Sequence, residues 1–433
     1  MRLLKFKGRN IFDLGGQCAS AIHSKLVKPQ KLFEIALGVV TSIGGFLEAG
    51  SIATAAQAGA AFRFQLIWPI VFGTIVLIFL IEMSGRLAAV SHHPLPSAVR
   101  ERFGFNFFIV PMIAESIVDF LVLASEIGGA CYGLQLLTGV SFQWWAIPVA
   151  IFAWLLLWNG TFSVIEYGVS LLGLATLVFI VGAFKLHPDW MSVAKGIVPT
   201  LPAFNRANYW FLAVSILGAT ISPYLFNFYS SGAVEDQWSE EDLPANRITS
   251  ILGMSFGGSI SVAVLICAAC VLFPRHAPAD TYPQIAQIVS QPLGKWGLRF
   301  FGAGLFIACF GAALEISLDL SYVYAQGFGW AWSESDAPQD ASRFSLVYSV
   351  VIFVACLITA VGLNPITLTM FSMAITTVIL PLIVLPFLVL MNDPHYVGKH
   401  TNGRIGNTVV FIAIILASIL AIVAIPLEIF GGS

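Results

Sequence analysis

The chain has 433 residues, 58% of them hydrophobic and only 10% charged, with 21 Lys and Arg against 23 Asp and Glu and a formal net charge of −2. That balance excludes a soluble globular protein and offers no basic surface for nucleic acid. It indicates an all-α polytopic membrane protein, because apolar runs of roughly twenty residues recur, the length that crosses a hydrocarbon core of about 30 Å.

Residues 1–32 hold Arg2, Lys5, Lys7, Arg9, Lys25, Lys28 and Lys31 against the single acid Asp13. They lack an apolar core followed by a small-residue cleavage site, so the expectation is a cytoplasmic tail rather than a signal peptide. Hydrophobic runs predict eleven spans, at 33–60, 66–90, 106–136, 144–158, 162–184, 209–232, 247–273, 296–327, 344–363, 365–391 and 408–429. With the amino terminus inside, Arg86, Arg100, Arg102, Arg247, Arg343, Lys399 and Arg404 join the basic tail on the cytoplasmic side, in keeping with positive-inside bias. The acidic loop from Glu235 to Asp242 then falls in the cytoplasm and reads as a solvated segment, while the stretches Phe184 to Asn208 and Pro274 to Lys295 read as outer loops.

The first span contains Ser42 to Ala60, SIGGFLEAGSIATAAQAGA, where Glu48 sits among Gly44, Gly45, Ala49, Gly50 and Ser51. A carboxylate at mid-membrane depth costs on the order of several kcal/mol, so it persists only where it faces protein, water or a cation. Its small-residue flanks suit a helix that opens and offers backbone carbonyls. The sixth span carries a matching interruption in Ser215 to Ser230, SILGATISPYLFNFYS, where Pro223 removes a backbone donor. Two interrupted helices five spans apart predict two inverted halves, 33–184 and 209–391, followed by an additional helix at 408–429, with a transport site at the midplane.

Other polar groups are fewer. Glu115, Asp119 and Glu126 lie at helical spacing on one face of the third span, and Glu315 and Asp319 repeat the i, i+4 pattern in the eighth; all five are candidates for an ion pathway. Glu82 and Arg86 have the order and spacing of a structural helix pair. Cys267-Ala-Ala-Cys270 has redox-motif spacing but lies in an all-apolar helix and reads as packing. All seven histidines fall in the tail or loops, so none is placed to bind metal or relay protons at mid-membrane. The sequon Asn159-Gly160-Thr161 falls on the cytoplasmic side of this topology and carries no weight.

The segments Ala53-Thr54-Ala55-Ala56-Gln57-Ala58-Gly59-Ala60, Leu66-Ile67-Trp68, Gly218-Ala219-Thr220 with Pro223, and Tyr324-Ala325-Gln326-Gly327-Phe328 resemble those of the NRAMP metal-ion transporters. The resemblance implies a LeuT-like fold of eleven spans, five-plus-five inverted repeats and alternating access. This chain has Glu48-Ala49-Gly50-Ser51 where the family has Asp-Pro-Gly-Asn, and Ser222-Pro223-Tyr224 where it has Met-Pro-His. Tyr229 matches the family's second span-six histidine, Val122 a span-three acid of its proton route, Met373 its span-ten glutamine, and Glu115 another family acid.

Carboxylate, hydroxyl and carbonyl oxygens suit Mg²⁺, Ca²⁺ and Mn²⁺, whereas sulfur and imidazole favour late transition metals. The expectation is therefore an all-oxygen site for a hard divalent cation, Mg²⁺ or Mn²⁺, formed by Glu48, Ser51, Ser222 and the backbone at Gly45 and Ala219, with Tyr224 lining it. Met373 and the span-three and span-eight acids would lie along the path. The alternative is a carrier of an amino or carboxylic acid on the same fold, held by half-helix amino termini. The metal is expected as cargo with weak or absent proton coupling, and no resident cofactor or catalytic constellation is expected. The setting is a bilayer, taken as a bacterial inner membrane, with the chain working as a monomer.

Overall fold

A computed structural model describes residues 48–159, 174–200, 202, 204–334 and 336–430. The expected tail, Gly45, most of the fifth span and the end of the sequon lie outside the described residues. The described part is a helical bundle. Helix α1 (Ala49–Phe62) is followed by α2 (Ile67–Ser91), α3 (Leu95–Phe103), α4 (Phe105–Thr138) and α5 (Phe142–Trp158). Then come α6 (Leu177–Lys185), α7 (Trp190–Lys195), α8 (Arg206–Thr220), α9 (Pro223–Glu235) and α10 (Leu243–Val271). The series ends with α11 (Tyr282–Phe328), α12 (Ser342–Val361), α13 (Pro365–Leu390), α14 (Pro394–Val397) and α15 (Arg404–Phe430). Seven stretches among the described residues are long and apolar enough to cross a membrane, and Phe142–Trp158 and Arg404–Leu420 are shorter apolar helices. With α1 and α6, which lie in the described parts of the first and fifth, they fall in every one of the expected spans.

Three connections are more ordered than loops. Helix α3 turns the chain between the second and third spans and carries Arg100 and Arg102 in its last turn. Helix α7 forms because the Asp189 carboxylate accepts from the Met191 amide at its first turn. The segment expected as an outer loop from Pro274 to Lys295 is instead helical from Tyr282. Thr281 and Gln284 form a reciprocal capping box that starts α11, and Gly294, at φ 64° and ψ −149°, kinks it after Pro292. Only glycine adopts that backbone without strain. The extra turns carry the fully buried Tyr282 against the Tyr132 ring, with centroids 5.4 Å apart.

Packing crosses between the halves. Helix α1 of the first half lies on α10 of the second, while α8 and α9 lie on α2, the exchange expected of two related units. The third and eighth spans, α4 and α11, form an extensive antiparallel interface. Small residues set its spacing: a Cβ added at Gly327 would stand 2.4 Å from Phe108, one at Gly129 2.6 Å from Cys309 Sγ, and one at Gly133 2.6 Å from the Phe306 amide nitrogen. At one end Arg86 holds Glu82 in two contacts, of 3.1 and 3.0 Å, and also reaches the His400 carbonyl and, at 2.7 Å, Asn402 Oδ1. The expected structural pair thus ties α2 to the turn before α15. Cys267 is buried and donates to the Phe179 carbonyl at 3.4 Å, a packing role.

Candidate functional site

Glu48 is extended, at φ −117° and ψ 175°, and α1 starts at the next residue. Its own side chain does not cap that helix. The Ala49 amide instead donates to both carboxylate oxygens of Glu126, on α4, at 3.0 and 3.1 Å. An acid from another helix therefore meets the positive end of α1 and satisfies an amide with no intrahelical partner. Glu48 is left to reach the second break. There α8 ends at Thr220, Ile221 and Ser222 leave the helical region, and α9 starts on Pro223 at its first position, where no amide hydrogen is needed.

The start of α1 and the break between α8 and α9 meet through side chains. Tyr224 donates its hydroxyl to Glu48 Oε2 at 3.0 Å. Ser222 Oγ lies 3.5 Å from Glu48 Oε1 and 3.1 Å from the Gly218 carbonyl. A serine has one hydroxyl hydrogen, so the shorter contact to Gly218 takes it and a lone pair of Ser222 can face the pocket. Gly50 shows what else is present: a Cβ there would lie 3.0 Å from Glu48 Oε1 and 3.0 Å from Met373 Sδ. The carboxylate and the thioether thus flank the same point beside α1. Met373, expected along the path, thus brings its thioether from α13 to the side of α1 where Glu48 lies. Gly218 permits that approach, because a Cβ there would stand 1.8 Å from the Met373 carbonyl oxygen.

Glu48, Ser51, Ala219, Ser222, Tyr224 and Met373 are each 4% exposed or less, so the site is buried within the bundle. Gly45 lies outside the described residues. A groove of about 550 Å³ between α2, α6 and α10 is lined by Ile75, Ile78, Ile180, Phe184 and Val262, an apolar outer face remote from the carboxylates.

The stripe of three acids on α4 divides. Glu126 caps α1, while Glu115 and Asp119 turn to α11 and meet Asp319, with one oxygen of each of the three lying within 4.8 Å of the others. All three are at least 96% buried. Asn227, beyond the second break, donates its amide to Glu115 Oε1. Glu315, one turn from Asp319, is 9% exposed and is not part of this group. Tyr229, at the position of a family histidine, donates to Asn246 Oδ1 at 2.9 Å and stacks edge-on to Trp238, away from the pocket. Val122 is buried and apolar. In the acidic loop, Glu240 pairs with Lys399 at 3.0 Å and with His400 at 3.2 Å, and both hold its carboxyl below the usual range.

Two contacts escaped the sequence reading. Neither the capping of α1 by Glu126 nor the approach of Met373 to Glu48 has a local signal, because each joins residues more than seventy positions apart. A buried acid on α4 opposite a helix start at Ala49 was the available hint for the first.

Comparison with known proteins agrees with this geometry. The chain is 25% identical over 368 residues to the divalent metal cation transporter MntH of Bacillus subtilis, covering 83% of this chain and 84% of that one. It is 29% identical over 250 residues to MntH of Deinococcus radiodurans, covering 55% of this chain and 56% of that one. Its fold superposes on a crystal structure of the Eremococcus coleocola manganese transporter with a TM-score of 0.75 at 18% identity, over 93% of this chain and 87% of that one. The family model described as natural resistance-associated macrophage protein-like matches residues 38–426, and the chain belongs to the Nramp family.

Proposed function

We propose that this protein carries a divalent metal cation across a membrane by alternating access around Glu48. The observation that carries the reading is the meeting of a buried carboxylate, a hydroxyl and a thioether where the start of α1 faces the break between α8 and α9. Its relatives named as divalent metal cation transporters support the same cargo. The mixed donor set favours Mn²⁺ over Mg²⁺, since a thioether contributes nothing to a strongly hydrated Mg²⁺ and is tolerated by the softer ion. The halves 33–184 and 209–391 are the units that rearrange, with the amino terminus and the Arg86–Asn402 end facing the cytoplasm.

Coupling to protons is weak in this reading. The histidines among the described residues lie in turns, loops and short helices outside the spans, and Val122 and Tyr229 stand where the family resemblance places an acid and a histidine. Uptake into liposomes of the purified full-length protein tests the proposal. Mn²⁺ entry above empty vesicles, with Mg²⁺ entry slower and little acidification of the lumen, is the expected result. Absence of flux of either ion under any gradient refutes it.

A further inference from the structure

We infer that Glu115, Asp119 and Asp319 form a second binding site for a hard divalent cation, separate from the Glu48 site and nearer the end of the bundle that carries Arg100 and Arg102. The inference rests on the transport reading above for its role, a station on the way between the central pocket and that end, but not for its chemistry.

The site is built by the antiparallel interface of α4 and α11. Phe108 packs at Gly327 and Cys309 at Gly129, so Asp119 and Asp319 fall at the same level of the two helices. Glu115 lies one turn further along α4 on the same face. Asp119 precedes Glu126, which caps α1, by seven residues, so the cluster lies about 10 Å along the helix from the central pocket.

The side chains ask for a ligand. Asp319 is 0% exposed, and neither of its carboxylate oxygens has a hydrogen-bond partner among the described residues; Asp119 is 1% exposed and its Oδ2 has none. None of the ion pairs among the described residues involves Glu115, Asp119 or Asp319. Buried carboxylates in natural proteins are paired, hydrogen-bonded or bound to metal, and three of the six oxygens here converge with no donor to meet them. Asn227 fixes Glu115 by donating to one of its oxygens, so that acid is oriented toward its two neighbours.

Size and access fit a cation. Two oxygens on opposite sides of a Ca²⁺-sized ion, each at about 2.4 Å, are about 4.8 Å apart. The three oxygens here lie within 4.8 Å of one another, a spread that small side-chain shifts bring within reach of one ion. Only oxygen donors are present, which selects hard divalent ions. A cavity of about 20 Å³, enough for about one water, is lined by Glu115 and Asn227 and by Leu95, Pro96 and Val99 of α3. A water beside Glu115 thus has a place to sit on the side of the cluster that faces α3.

Equilibrium binding of Mn²⁺ to the purified full-length protein, with its electron paramagnetic resonance spectrum, tests the site. The wild type is expected to bind two ions, and the near-isosteric variants Asp319→Asn and Asp119→Asn one, with the remaining ion lost on adding Glu48→Gln. The spectrum of Glu48→Gln alone should show Mn²⁺ in an all-oxygen environment. Liposome uptake by Asp319→Asn is expected to fall about tenfold. If Asp319→Asn and Asp119→Asn bind as many ions as the wild type, the cluster holds only protons and the inference is overturned, while transport through Glu48 stands. If binding survives Glu48→Gln and is lost in Asp319→Asn, the second site is upheld and the central metal site falls instead.

Discussion

The protein places carboxylates in two buried regions and treats them differently. Around the helix breaks, each acid has donors: Glu48 accepts from Tyr224, and Glu126 accepts from the Ala49 amide. Between α4 and α11, Asp319 has no donor for either oxygen among the described residues, and Asp119 lacks one for Oδ2. A carboxylate with hydrogen-bond donors tolerates burial without an ion, whereas a convergent group with too few donors depends on a cation or on protons. The first arrangement suits a site that must alternate between loaded and empty, and the second a site that is rarely empty.

Four measurements would break or sharpen that contrast. The largest effect belongs to Glu48→Gln, which keeps the shape and an acceptor for Tyr224 but removes the charge. Uptake of Mn²⁺ in liposomes should fall by about a hundredfold while thermal stability in EDTA changes by less than about 1 kcal/mol. Uptake near the wild-type rate would show that the partnered glutamate is structural. Next, Glu126→Ala removes the acceptor at the start of α1, and the metal-free protein should lose about 1–2 kcal/mol, seen as a lower Tm. Glu126→Gln, which keeps an oxygen in place, should recover most of that loss.

Asp319→Asn should act in the opposite sense. Removing one of three clustered like charges should raise metal-free stability by about 1 kcal/mol and abolish part of the rise in Tm that Mn²⁺ produces. A fall in metal-free Tm would mean that the trio is held together by shared protons. The smallest effect supplies a baseline from a partnered acid outside the membrane. Asp393 accepts from the His395 amide at 3.0 Å and from Arg102 at 2.9 Å, and these contacts hold its carboxyl below the usual range. Its contribution is therefore present above the ordinary aspartate value of about 4 and is lost as pH falls through the lowered one. Tm of the wild type should converge on that of Asp393→Asn as the solution is acidified below about pH 4.

Composition and hydrophobic run length were enough to establish an all-helical membrane protein and to place its spans, because a helix that crosses lipid must satisfy its backbone internally and be apolar for about twenty residues. The second break was equally legible, since Pro223 and the run of small and polar residues before it interrupt a helix through local chemistry alone. So was the start of α1 beside Glu48. Helical periodicity also placed Glu115, Asp119 and Glu126 on one face of α4. What that face meets was decided by the tertiary structure. The close approach of α4 and α11 at their glycines brings two of those acids to Asp319, the packing of α1 brings the third to its first amide, and the backbone contact at Gly218 brings Met373 to the side of Glu48. The spacing of residues along a chain determines the direction in which a side chain leaves its own helix; only packing in three dimensions determines which distant helix stands in its way.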